Sequence, residues 1–130
     1  MPLTFHYICA MRFEIVEING IAVAEIFADG VILASLDDGL DMLGECMGAG
    51  VSRLVIKEEN ISPNFFDLGT KLAGDVLQKF TQYMVKLAIV MDFGHVEKPS
   101  LRDFIRESNR FGQIAFTSTV DEAMARLARP

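Results

Sequence analysis

Apolar and polar positions alternate along Arg12-Phe-Glu-Ile-Val-Glu-Ile18 and again along Ile21-Ala-Val-Ala-Glu-Ile-Phe27. A period of two predicts half-buried strands. The intervening Asn19-Gly20 supplies the positive φ angles of a type I′ turn, so the pair reads as a β-hairpin. Asp29-Gly30 ends the second strand, and the period then changes. Leu36, Leu40, Leu43 and Met47 recur at 4-3-4 spacing, the core-facing stripe of a helix. Ser35 with Asp38 gives it a capping-box-like start, and Gly48-Ala-Gly50 gives it a C-cap.

Two short apolar runs follow, Arg53-Leu-Val-Ile-Lys57 and Lys86-Leu-Ala-Ile-Val-Met91. They read as buried strands joined by a helix from about Ser62 to Tyr83, a strand–helix–strand unit at the centre of a parallel sheet. Phe65, Leu72, Val76 and Phe80 share one face of that helix, with Leu68, Ala73, Leu77 and Met84 beside them. Ser62 is its N-cap and Pro63 its first residue, where a missing N–H costs nothing. Gly69 and Gly74 are unfavourable in mid-helix. They fit either a close approach to the sheet or a break at Gly69 between a short first turn and the main helix. Asp92-Phe-Gly94 opens the next loop. Ser100 caps a third helix through Asp103, with Leu101, Phe104 and Ile105 inward and Gly112 as its stop. Ile114-Ala-Phe116 is a short last strand. Thr119 with Glu122 caps a final helix carrying Val120, Met124 and Leu127. The expected fold is therefore α/β: an N-terminal β-hairpin followed by βαβαβα crossovers, a mostly parallel sheet flanked by helices.

The chain of 130 residues fits one domain, expected over 11–130. Met1–Ala10 is apolar but has no basic start, long apolar stretch or small-residue cleavage site. It reads as an N-terminal extension outside the domain, as from an upstream start codon. An apolar fraction of 51% predicts a well-filled core and leaves surplus apolar surface for a homodimer face. No apolar run is long enough to span a bilayer, and a net charge of −6 argues against nucleic-acid phosphate as a partner. Cys9 and Cys46 suggest no disulfide framework, so a cytoplasmic setting is expected. Cys46, next to the apolar stripe, reads as an inert buried thiol.

Ligands of open α/β sheets favour the carboxyl ends of the parallel strands. That rim gathers Lys57, Glu58, Glu59 and Asn60, then Ser62 and Asp67, then Asp92 and His95, with Ser118 and Thr119 on the same side. Solvated loops are polar in any case. The set that could bind a ligand or partner is Ser62, Asp67, Thr70, Asp92 and His95. His95 and Asp92 could pair as base and orienter, giving an enzyme or sensor reading through Asp67, Asp92 and His95. No nucleophile elbow accompanies them, and the carboxylates lack metal-ligand spacing. Gly48-Ala-Gly50 leads from helix into strand, the wrong order for a dinucleotide loop. Neither a cofactor nor a metal is therefore expected. Arg102, Arg106 and Arg110 lie at i, i+4, i+8 with Asp103 and Glu107 interleaved, a solvated face or one for an acidic partner.

The element order resembles the STAS, or anti-sigma-factor-antagonist, fold. Three stretches carry a closer similarity to an uncharacterised bacterial family of single-domain proteins. They are Phe65-Phe-Asp-Leu-Gly-Thr-Lys-Leu-Ala-Gly-Asp-Val-Leu-Gln-Lys-Phe80, Lys86-Leu-Ala-Ile-Val90 with Asp92-Phe93, and Leu101-Arg-Asp-Phe-Ile-Arg-Glu-Ser-Asn109. At Lys71 and Met91 the family pattern leads one to expect glycine. The resemblance implies a bacterial cytoplasmic protein and carries no chemistry with it. STAS-type switches are phosphorylated on a hydroxyl at a helix start. Here Ser62, or Thr70 if the helix restarts at Gly69, holds that place, although the comparable stretch is Asp67-Leu-Gly-Thr70. A regulatory module with a protein partner is the leading expectation.

Overall fold

A computed structural model describes residues 3–8 through their backbone and residues 11–111 and 114–129 in full. The hairpin forms as expected: β2 (Met11–Ile18) and β3 (Ile21–Ala28) pair antiparallel around Asn19 and Gly20, whose φ angles are 54° and 80°. The backbone of Leu3–Ile8, β1, pairs antiparallel along the outer edge of β2. Met1, Pro2, Cys9 and Ala10 of the expected extension, Cys9 being the second expected free thiol, lie outside the described residues, as does Gly112.

Parallel strands β4 (Arg53–Lys57), β5 (Lys86–Val90) and β6 (Ile114–Thr117) extend the sheet from β3. The spatial order β1-β2-β3-β4-β5-β6 is the order of the sequence. Right-handed crossovers that always step in one direction place their helices on one side. Accordingly α1 (Leu36–Ala49), α3 (Leu72–Gln82) and α4 (Pro99–Phe111) share a core with Phe13, Ile26, Leu54, Ile56, Leu87, Ile89 and Phe116. Among the described residues only α5 (Val120–Leu127) packs on the other face, where Ala123 and Leu127 meet Val23, Val55, Ala88 and Ala115.

Helix α1 has the expected cap: Ser35 accepts from Asp38 N–H, and Asp38 accepts from Ala34 N–H. Its rotation differs from the 4-3-4 stripe. Gly39, Met42, Leu43 and Cys46 are buried, whereas Leu40 and Met47 are exposed. Gly39 faces α3, where a Cβ would meet Val76 Cγ2 at 3.4 Å, and Met42, Leu43 and Cys46 carry the buried face with it.

The long helix expected over 62–83 is two helices. α2 (Pro63–Phe66) ends at Asp67, a single 3-10 turn follows over Leu68–Thr70, and α3 begins at Leu72. Lys71, between them, is left-handed at φ 64°. That conformation costs an L-residue roughly 1–2 kcal/mol, and it is the position where glycine was expected. Met84, expected beside the core, is also left-handed and 79% exposed after the end of α3. Ser100 lies in the first turn of α4, which starts at Pro99, rather than capping it. Thr119 caps α5 as expected. The outer edge of β6 is clipped by Asn109, whose side chain bonds both the N–H and the carbonyl of Phe116. Among the described residues no helix is long and apolar enough to cross a membrane.

Candidate functional site

The carboxyl ends of β4 and β5 carry the rim. After β4 the chain makes a 3-10 turn over Glu58–Asn60. Asn60 is buried, and its amide donates to the carbonyls of Ala28 and Gly30. Asn60 O accepts from Ile32 and Leu33 N–H, and Leu33 bridges to Ile61. These bonds hold residues 31–33 alongside the rim. Lys57 is anchored along β3. Its ammonium pairs with Glu25 at 2.7 Å, donates to Ile26 O and lies 3.7 Å from the Phe27 ring centroid.

Two turns of the same design border the site. Asp67 Oδ1 accepts from Gly69 N–H, and Asp92 Oδ1 accepts from Gly94 N–H, each opening a 3-10 turn. A Cβ on Gly69 would lie 3.3 Å from the Asp67 oxygen, and one on Gly94 3.1 Å from the Asp92 oxygen. An aspartate that accepts from the backbone two residues on is a common local turn device, and the glycine at that position leaves the carboxylate room. Both carboxylates thus have a local structural task.

His95 does not take Asp92 as its partner. Its Nε2 lies 2.5 Å from Glu58 Oε2, while Glu58 Oε1 accepts from the Asp92 backbone N–H. Glu58 therefore ties together the loops that follow β4 and β5. Alternation on β4 points to it: Leu54 and Ile56 face the helix-side core, and Glu58 continues that series one step past the strand end. The sequence reading placed Glu58 on the rim without giving it this role.

Beside this pair opens a groove of about 670 Å³. Ile61, Met91 and Val96 are buried and form its floor; Val31, Phe66 and Leu101 flank it. Glu58, Glu59, Asp67, His95, Glu97 and Lys98 supply the polar lining. Of the five expected site residues, Asp67 and His95 come together here. Asp92 lies in a shallower depression with Lys57, Glu58, Glu59 and Ser118. Ser62 and Thr70 line neither. Ser62 Oγ accepts from Asn64 N–H, a cap. Thr70 Oγ is 2.8 Å from the carbonyl oxygens of both Asn64 and Asp67 and accepts from Leu72 N–H. Val31, Glu97 and Lys98 escaped the sequence reading because they reach the groove from loops, which leave no periodic signal. Among the described residues no group of three or more His, Cys, Asp or Glu is placed to hold a metal ion.

A family model described as a domain of unknown function, DUF4180, matches residues 18–127. No curated protein and no solved structure matches the chain.

Proposed function

This chain belongs to the DUF4180 family, a domain of unknown function, and from that premise we propose that it is a non-enzymatic binding module of the bacterial cytoplasm, working through the groove beside α2. The observation that carries the reading is the groove itself. An apolar floor of Ile61, Met91 and Val96 under a charged lip is the usual composition of a ligand site, with apolar contacts for affinity and a few polar groups for orientation. The polar candidates support binding over catalysis. Asp67, Asp92, Ser62 and Thr70 are engaged in capping their own turns, and among the described residues no hydroxyl or thiol lines the groove next to the Glu58–His95 pair. The alternative, an enzyme or sensor using Asp67, Asp92 and His95, would have to run through Glu58, because His95 pairs there.

Strand order equal to sequence order, with three crossover helices on one face, keeps the STAS-like resemblance in play. It favours a regulatory role with a protein partner, or with a second copy of the chain. A second reading follows from Thr70, exposed at the start of α3 with its Oγ accepting from Leu72 N–H: phosphate there would meet the positive end of the helix dipole. The working domain is taken as residues 11–130, with the family match starting at residue 18 and β1 as an N-terminal extension on the edge. Amide exchange in Leu3–Ile8 as slow as that of β2 would overturn that boundary.

The test is affinity purification from a bacterial host followed by mass spectrometry, comparing the wild type with Val31→Arg, which sets a long side chain across the groove. A molecule or protein retained by the wild type and lost from the variant is the expected result. Identical retention by both refutes the groove reading. A phosphoryl mass on Thr70 would establish the second.

A further inference from the structure

The groove is apolar at its floor and acidic at its lip, and that charge restricts what can fill it. Four carboxylates line it, Glu58, Glu59, Asp67 and Glu97, against Lys98 and the imidazole of His95. Part of this charge is already engaged: Glu58 faces His95, and one Asp67 oxygen holds Gly69 N–H. Glu59 and Glu97 form no ion pair among the described residues and are exposed. The chain as a whole carries −6. An anionic ligand is thus repelled both during approach and once seated, whereas a cation is steered in.

We infer that the occupant is a small organic cation, an alkyl or aryl body carrying an ammonium or guanidinium group. The body lies on Ile61, Met91 and Val96; the cation reaches the lip at Glu59 and Glu97. The volume of about 670 Å³ falls within the roughly 300–1,000 Å³ of small-molecule sites. The inference rests on the groove reading above and adds the sign of the ligand. It also gives Met91 a task. Where the family pattern leads one to expect glycine, a methionine closes the floor with a soft thioether that adapts to the shape of the ligand's apolar body.

The experiment uses a matched pair of probes, 4-phenylbutylamine and 4-phenylbutanoate, titrated into the full-length protein and followed by amide chemical shifts. The amine is expected to shift the amides of Phe66, Met91 and Val96 saturably, with the carboxylate weaker by an order of magnitude or more. The double variant Glu59→Gln, Glu97→Gln removes no side-chain hydrogen bond among the described residues. It is expected to weaken amine binding about two- to five-fold per charge removed and to strengthen carboxylate binding by a comparable factor, as the repulsion is relieved. Equal binding of the two probes overturns the cation inference while leaving the groove reading standing. No groove shift with the amine also overturns it, and the Val31→Arg comparison then decides the groove reading separately. A basic peptide that shifts these amides where the amine does not overturns the small-molecule form of the inference.

Discussion

The two faces of this sheet are built on different principles. On one, three crossover helices press large side chains into the strands; Phe13, Phe65, Phe80, Leu33, Met42 and Leu43 are all fully or almost fully buried there. On the other, one eight-residue helix lies on a floor of Val23, Val55, Ala88 and Ala115. The strands beyond its reach are covered by charge. Glu14 and Glu25 stand directly opposite each other on β2 and β3, which alone would repel. Arg12 neutralises the first and Lys57 the second, with Phe27 near both cations. Stability should therefore depend on filling volume on the first face and on keeping volume small on the second.

The sharpest way to break this contrast is Phe80→Ala. Phe80, on α3, is fully buried against the sheet, and the truncation is expected to cost about 3–5 kcal/mol in urea unfolding. A loss under 1 kcal/mol would mean that the three-helix face tolerates voids. On the other face the opposite substitution should hurt: Ala88→Leu drives three extra carbons between β5 and α5 and is expected to cost about 1–3 kcal/mol. An unchanged urea midpoint would show slack under α5.

A third expectation concerns charge within the larger core. Burial, with Glu45 acting in the same direction, pushes the Cys46 thiol up to about 12. The folded chain keeps this proton after the unfolded chain, whose thiol titrates near 8.5, has lost it. Stability contributed by the neutral thiol is complete below about pH 8.5 and declines as pH rises toward 12. Unfolding measured across that window should fall more steeply for the wild type than for Cys46→Ala, and parallel slopes would contradict a buried neutral thiol. The smallest effect has the opposite sign. Lys71→Gly relieves the left-handed backbone at φ 64° at the cost of a floppier unfolded chain, so a gain of about 0.5–1 kcal/mol is expected in thermal unfolding. A loss would show that the lysine side chain is engaged.

Much of the fold could be read from the pattern of residues, and where it could not, the cause is specific. Asn19-Gly20 fixed the hairpin because few residues tolerate its φ angles. The apolar runs at 53–57 and 86–91 fixed the central strands because both of their faces are covered. The rotation of α1 was hidden because its buried face includes Gly39 and Cys46 beside Met42 and Leu43, and a glycine gives no hydrophobic signal. The break after α2 was half visible. Gly69 marked the place, yet the residue carrying the strained angle is Lys71, and only the expectation of glycine there hinted at it. The candidate site was legible as a rim and not as a partnership. Asp92 lies near His95 in sequence, but Glu58, 37 residues before His95 in the chain, is the side chain that meets it.

Sequential strand order also governs how the molecule can come together. Every strand pairs with its neighbour in the chain, so no strand has to be inserted between two that are already joined. The entropy of closing each loop is limited to one crossover at a time, although each parallel pair, such as Leu54 with Leu87, still joins residues a whole helix apart, the kind of contact that slows folding. Assembly can begin at β4, α3 and β5 and spread outward in both directions. Growth stops at the far side, where Asn109 occupies the outer edge of β6.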